Sequence, residues 1–550
     1  MKRRGSISVY CLIVMFMIIT TSLGVMGMTY TSIMRVKSDR RNAIAFQVAQ
    51  AGLELGITEA SRQAQLDDLS QGQFLPSSVN YTSTLQSLAP GATVVVDILP
   101  SPSQTYAWIT STVTYDNRTK SVRTRLSLRE VGIWNNAIFA GTGAVGQAIN
   151  GNVDIRGSVH LLGDGEDYTD TNHNGHWDAA EPFTDLNHNG VWDPGEPFTD
   201  TNGDGVWSNA EPYNDSNHNG MYDPPLTVTD MNTTFGGTAF LGNNYSGIPS
   251  ALSSVIPALV PVGGVSTLNA EVRVKHGMVS LSGNAKIGTN AIVDFGASKN
   301  TIDGSYVSDG FTGNAGAASV YSDNGTSHAY DLGNMGITFP LISGIGADPY
   351  FGASQQWTNE LAYLQAKSLT IPVATIKANS SAFSYGPDAN GNSISFTPAS
   401  GANGAVLDIH GVVRINGDLQ IGAKDSIGYS GIGTIFSEGS IYVDGNFLPK
   451  AGKTFPTSAR VGMIAKLDIN LATGNGSSQL NMAGAFYAQG KIVSRKQNQI
   501  AGTFVANSFD MGTNVPNIYQ VPSLVHNMPP AMPGDKSVVF LQLKSWKERQ

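Results

Sequence analysis

Charge and cysteine are both scarce in this sequence. Lys, Arg, Asp and Glu make up 14% of its 550 residues, against about 25% in ordinary globular chains. That shortage excludes a coiled coil or a generally disordered tail as the main architecture. The one cysteine, Cys11, falls in an apolar run. The rest of the chain therefore forms no disulfides and relies on core, hydrogen bonds or metal. No G-x-S-x-G or H-E-x-x-H motif occurs. Residues 451–454 read Ala-Gly-Lys-Thr, but Phe447 stands where a phosphate loop needs its first glycine. Arg156, Lys275 and Arg414 are read as scattered surface charges rather than a catalytic groove, so no enzyme is expected. A net charge of −9 gives no support to a nucleic-acid partner. What the chain has in quantity is glycine, 62 residues of it, beside a 41% hydrophobic content. Together these favour a turn-rich, strand-rich chain with ample core.

The N-terminus has a plan of its own. Lys2, Arg3, Arg4 and Gly5 precede an uncharged apolar run over residues 7–28. At about 1.5 Å per residue, that run crosses a bilayer as one helix. The basic cluster predicts a cytoplasmic N-terminus and an exported remainder. A cleaved secretory signal is the alternative, although the run is longer than such a signal needs. Ala43, Ala45, Phe46, Ala49, Leu53 and Ile57 continue near 3.6-residue spacing, so a single helix is predicted to run to about Gln65. Strand-like runs follow at 92–99, 106–115 and 121–128, the last two joined by a turn at Asp116-Asn117-Arg118-Thr119.

The segments KRRGSISVYCLIVMFMI and RRNAIAFQVAQAGLELG together resemble the N-terminal part of PilX-type type IV pilus assembly proteins. The carrying motif is Ala49-Gln50-Ala51-Gly52-Leu53-Glu54, and the tail NMPPAMPGDKSVVFLQLKSWKE is similar to the end of such proteins. The resemblance implies a pilin-like helix and small antiparallel sheet, and cleavage after Gly5 to leave Ser6 first. It also implies other pilin-like subunits and the pilus assembly machinery as partners. Major pilins usually carry Glu at the fifth mature position, where this chain has Tyr10. A minor or initiating subunit fits that difference better than a shaft subunit.

Between residues 164 and 223 stand fourteen Asp and Glu and no Lys or Arg, a block of −14 in a remainder of +5. A fifteen-residue repeat starts at Asp170, Asp185, Asp200 and Asp215. Its spacing, D-x-[DN]-x-[DN]-G-x5-E, is that of a calcium loop. The first loop offers Asp170, Asn172, Asn174, the His176 carbonyl, Asp178 and Glu181. The second offers Asp185, Asn187, Asn189, the Val191 carbonyl, Asp193 and Glu196. The third has Asp200, Asn202, Asp204, the Val206 carbonyl and Glu211, with Ser208 at the ninth place. The fourth keeps Asp215, Asn217, Asn219 and Asp223, but Leu226 replaces the closing Glu. It is expected to be weaker or completed from elsewhere. Upstream, Glu166-Asp167-Tyr168-Thr169 aligns with Glu181-Pro182-Phe183-Thr184 as a half-loop capping the array. Proline after each Glu biases it away from helix, so these are not paired EF-hands. They resemble the helix-free ladders of dockerin-like and thrombospondin type-3 repeats. Trp177, Trp192, Trp207 and Tyr222 recur in phase, as do Phe183, Phe198 and Tyr213. Stacked, they would form a thin core that calcium completes. His173, His188 and His218 lie between ligand positions and are read as outward-facing.

Around the array, short Val- and Ile-rich runs are closed by Gly or Asn-Gly, as at 151–163, 271–288, 405–422, 433–447 and 484–512. A parallel β-helix or solenoid is favoured over a sandwich, with the array inserted between rungs and a helical excursion near 357–366. The expected fold is mainly β with one long N-terminal helix. Its parts are the helix (1–66), a small sheet (67–135), first rungs (136–163), the array (164–226) and the glycine-rich ectodomain (227–550). The expected function is a pilin-like structural subunit, anchored once in a bacterial inner membrane, with an exported domain for adhesion to surfaces or glycans. A permanently anchored envelope or matrix protein is the alternative, and a carbohydrate-active enzyme on a β-helix the weaker one.

Overall fold

A computed structural model describes residues 6–66, 76–100, 106–143, 153–163, 166, 168–169, 171, 177–201, 203, 205–213, 222, 236–259, 261, 265–290, 298–326, 328–330, 332, 337–344, 347–351, 355–401, 403–475, 477–510, 516–534 and 538–549. They fall into two units, Met1–Val131 with Val538–Gln550, and Gly132–Ser537.

The first unit begins with α1, Ser6–Leu66, one unbroken helix of 61 residues without a proline. Its N-terminal half is long and apolar enough to cross a membrane, and its side chains from Ile7 to Val36 are exposed. The hydroxyls of Thr20, Thr21, Thr29 and Thr31 donate to carbonyls four residues back, so they stay satisfied in an apolar setting. Further along, Ala45, Val48, Ala49, Leu53 and Ala60 are buried against a sheet. The approach there is close. A Cβ on Gly52 would lie 2.5 Å from Ser111 Oγ, and one on Gly56 would lie 2.5 Å from Val96 Cγ1. The glycine of the Ala-Gly-Leu motif is thus where helix and sheet touch.

That sheet runs β1 (Ser77–Asn80), β2 (Thr93–Pro100), β3 (Tyr106–Tyr115), β4 (Arg118–Val131) and then the C-terminal strand Val538–Arg549, every pair antiparallel. Asp116 and Asn117 turn the β3–β4 hairpin at φ of 48° and 60°, the left-handed pair that suits the strand twist. Alternating Val94, Val96 and Ile98 face α1 with Ile109, Val113, Val122 and Leu126. Two boundaries differ from the sequence reading: the part of the chain that builds the small sheet ends at Val131 rather than at 135, and the C-terminus joins it. The last strand, counted there with the 227–550 ectodomain, belongs to this sheet, and Val538 pairs with Val131. Its register partners are far away in sequence, so no local pattern announces them.

The second unit is a parallel solenoid. Its longest face pairs, in spatial order, Leu369–Ile371, Ala405–Ile415, Ser426–Ser437, Arg460–Ala465, Asn481–Ser494, Gln499–Asp510, Ile138–Gly143, Val159–Leu161, Glu271–Val274 and Gly304–Val307. In-register side chains build the core: Val413, Ile435, Met463, Phe486, Phe504, Ile138, Val159 and Val272 follow one another up the inner track, all buried. The chain does not climb from end to end. It starts in the middle at Ile138–Gly143, builds to Gly304–Val307, then crosses back to begin again at Leu369–Ile371. From there it works inward until Gln499–Asp510 meets the first rung.

The crossing segment covers the outer track of the same face. Tyr330 bonds His160, Phe339 stacks on Tyr487 at 5.8 Å, the Tyr487 hydroxyl donates to the Pro340 carbonyl, and Gln365 meets Arg414 and Glu438. Those contacts explain why outward-pointing His160 and Tyr487 are buried. The helix Glu360–Lys367 lies on this segment, capped by the Asn359 side chain, which accepts from the Ala362 N–H at 3.0 Å.

His160 is fully enclosed, and its Nδ1 has no hydrogen-bond partner. Burial, with the cations of Arg273 and Lys275 adding to it, holds its pKa well below the ordinary 6.5. The unfolded chain therefore binds this proton more readily than the folded one. Stability from this group is complete above about pH 6.5 and falls as the pH drops further, by up to about 1.4 kcal/mol per pH unit. We expect His160→Gln to flatten the difference in thermal unfolding between pH 6.5 and 5. An unchanged slope would remove His160 as its source.

Candidate metal centre

The array lies between the rungs Val159–Leu161 and Phe240–Gly242, as an insertion. Asp170, Asn172, Asn174, His176, Asn202, Asp204, Asp215, Asn217, Asn219 and Asp223 lie outside the described residues, as do His173, His218 and Gly5. Ser6 opens α1.

The second loop is described throughout. The Asp185 carboxylate accepts from the N–H groups of Asn189 (3.2 Å) and Gly190 (2.7 Å). His188 and Gly190 adopt φ of 58° and 78° in the turn, and the His188 side chain is exposed. Asn187 and Asn189 donate their amides to Asp193 Oδ2 at 2.6 and 2.8 Å. Two amide donors thus converge on a carboxylate where a cation would neutralise it. The Oδ1 atoms of Asn187 and Asn189 accept the N–H groups of Asn189 (3.0 Å) and Val191 (2.8 Å), and the loop's carboxylate, amide and carbonyl oxygens are the ligand chemistry that a hard, oxygen-seeking ion takes. In the third loop Asp200 plays the part of Asp185, accepting from Gly203 at 2.6 Å and Gly205 at 2.9 Å. Among the described residues no three Asp, Glu, His or Cys side chains converge at metal-holding distance. Amides and main-chain carbonyls make up much of the expected set.

The aromatic residues stack as a core. Trp192 lies on Trp207 at 5.2 Å and 11°, and Trp177 on Tyr222 at 4.5 Å and 23°. Phe183 bridges Phe198 and Tyr168 bridges Tyr213, both antiparallel. The loops are therefore paired second with third and first with fourth.

The closing glutamates do not follow sequence order. Glu196 accepts from Leu186 N–H (2.7 Å) and Asp193 N–H (3.0 Å), within its own loop. Glu181, read with the first loop, instead accepts from Thr201 (2.7 Å) and Ser208 (3.0 Å) of the third. Glu211, read with the third, accepts from Thr171 (2.7 Å) and Asp178 (3.2 Å) of the first. The main chain agrees: Trp207 Nε1 donates to the Glu181 carbonyl and Trp177 Nε1 to that of Glu211, each at 2.9 Å. All three carboxylates are buried. Proline after each Glu disfavours an exit helix, yet Glu196, followed by Pro197, still returns to its own loop. The strand pairing decides the partner.

Elsewhere, the cations named from sequence are engaged. Arg156 pairs with Asp154 at 2.5 Å and lies over the Phe240 ring, and Arg414 pairs with Glu438 at 2.9 Å. Lys275 is close enough to His160 to oppose its protonation.

Comparison with solved structures finds the competence-associated pilin ComZ from Thermus thermophilus, at TM-score 0.50. The chain has a pilin-like fold. The match covers 92% of this chain and 97% of that one at 18% identity, so the likeness extends over both units and concerns fold alone. No family profile matches the chain, and no curated protein does either. In this pilin-like frame, α1 packs on the five-stranded sheet. The solenoid is carried between β4 and the C-terminal strand.

Proposed function

We propose that the chain is a minor structural subunit of a type IV pilus or related filament, anchored by α1 and carrying a calcium-stabilised insertion for surface attachment. The observation that supports this most is α1 itself. Half of it is buried on the sheet, while the apolar half from Ile7 to Val36 is exposed and needs another apolar environment. A bilayer supplies that first, and the helices of neighbouring pilin-like subunits supply it in a filament. Lys2, Arg3 and Arg4 set the N-terminus on the cytoplasmic side. Tyr10, and an insertion much larger than the sheet that bears it, suit a minor or tip subunit better than a repeated one.

Calcium enters this reading through the loop spacing, the oxygen-rich donors and the uncompensated −14 of the block. Because Asn lowers the ligand charge, affinities of about 10⁻⁴–10⁻³ M are expected, as in extracellular modules. The deciding experiment is mass spectrometry of the mature N-terminus. Cleavage after Gly5, leaving Ser6 first, is the expected result. A chain that keeps Met1 would instead favour a permanently anchored envelope protein.

A further inference from the structure

Building on the calcium reading, we infer that the sites are closed by exchange: Glu181 completes the third loop and Glu211 the first, while Glu196 completes its own. Three loops share one set of bonds. In each, a glutamate receives the N–H of loop position 2 on Oε1 and that of position 9 on Oε2, and position 9 returns its carbonyl to the glutamate N–H at 3.0 Å. The Trp at position 8 donates its indole N–H to the same glutamate's carbonyl. A glutamate held by one loop at four points, two on its carboxylate and two on its main chain, cannot also serve another, so the identity of each closing ligand follows from these bonds.

The bonds obey one rule: a glutamate closes the loop that begins where its bridged partner strand ends. Phe183 bridges Phe198. Glu181, ahead of Phe183, accordingly serves the loop starting at Asp200, and Glu196, ahead of Phe198, serves the loop starting at Asp185. Tyr168 bridges Tyr213 in the same way, and Thr169 N–H donates to the Pro212 carbonyl at 2.8 Å, as Thr184 does to Pro197. Glu211, ahead of Tyr213, serves the first loop. Glu166, ahead of Tyr168, is then the counterpart of Glu181, and it is equally buried at 2% exposure. It matches the loop whose own sequence ends in Leu226 instead of glutamate.

A consequence is that the affinities of the sites are coupled. An ion in the first loop needs Glu211, and placing Glu211 requires the third repeat to be folded, so binding should be cooperative.

Ion counting by isothermal titration calorimetry on the purified, detergent-solubilised full chain separates exchange from local closure. Glu181→Gln combined with Asp200→Asn should cost one calcium ion, because both residues serve one site. Glu181→Gln combined with Asp170→Asn should cost two. The reverse pattern, two ions and then one, overturns the exchange while leaving the calcium reading intact. The mirror pair, Glu211→Gln with Asp170→Asn, should cost one ion and gives an independent answer should Glu181→Gln disturb the Trp192–Trp207 stack, which near-ultraviolet circular dichroism reports. A wild-type chain that binds no calcium overturns both readings together.

Discussion

Chelating calcium is expected to make residues 164–226 the first place where a protease cuts this protein. The block carries fourteen carboxylates without a single Lys or Arg, and its apolar content is one set of stacked rings. Without cations, like charges at this density oppose compaction. At a calcium concentration tenfold above Kd, each filled site stabilises the closed form by about 1.4 kcal/mol. Three sites give about 4 kcal/mol, roughly a 10³-fold change in the population open to cleavage. Limited proteolysis in 10 mM calcium (about ten times the upper expected Kd) and in chelator, with fragments identified by mass, measures it. The solenoid fragments should survive in both. Equal cleavage of the array under the two conditions would sink the calcium reading.

The second large effect is expected at Gly502. Its backbone has φ of 137°, and a Cβ there would lie 1.8 Å from the carbonyl oxygen of Gly484, its register partner on the next rung. Neither atom can retreat, since both belong to main chain fixed in a parallel ladder. Gln499–Asp510 is also the rung on which the two arms of the solenoid meet. Gly502→Val should therefore cost about 4 kcal/mol or more, beyond the range of ordinary substitutions. At Gly404 nothing lies within 4 Å of a built Cβ, and Gly404→Ala should change stability by less than about 0.5 kcal/mol. Thermal unfolding of the two variants side by side is the measurement. Similar melting for both would mean that the rungs accommodate a side chain at the junction.

Features written in local periodicity were legible before any coordinates. The unbroken apolar and then amphipathic run became α1, Asp116-Asn117 became a tight hairpin turn, and the Gly-closed Val and Ile runs became parallel rungs. The repeat period also foretold the aromatic stacks. What escaped was pairing over distance. Ser77–Asn80 is four residues with one of them hydrophobic, too short to register as a strand. Nothing local distinguishes a rung in the middle of a solenoid from one at its end, so the chain's start at Ile138–Gly143 and its return over the outer face had no sequence signature. The four repeats are nearly interchangeable as strings. Which glutamate meets which loop is settled by the Phe183–Phe198 and Tyr168–Tyr213 bridges, and a repeat that looks the same in every copy cannot encode that choice locally.

The pairing of Val131 with Val538 has a mechanical consequence. The solenoid leaves the sheet at one of these residues and returns at the other, so any pull on it reaches both strands at the same end of their ladder. Load on the solenoid therefore enters the sheet at one end of this ladder, at the Val131–Val538 pair, and reaches the Ser121–Arg549 end last.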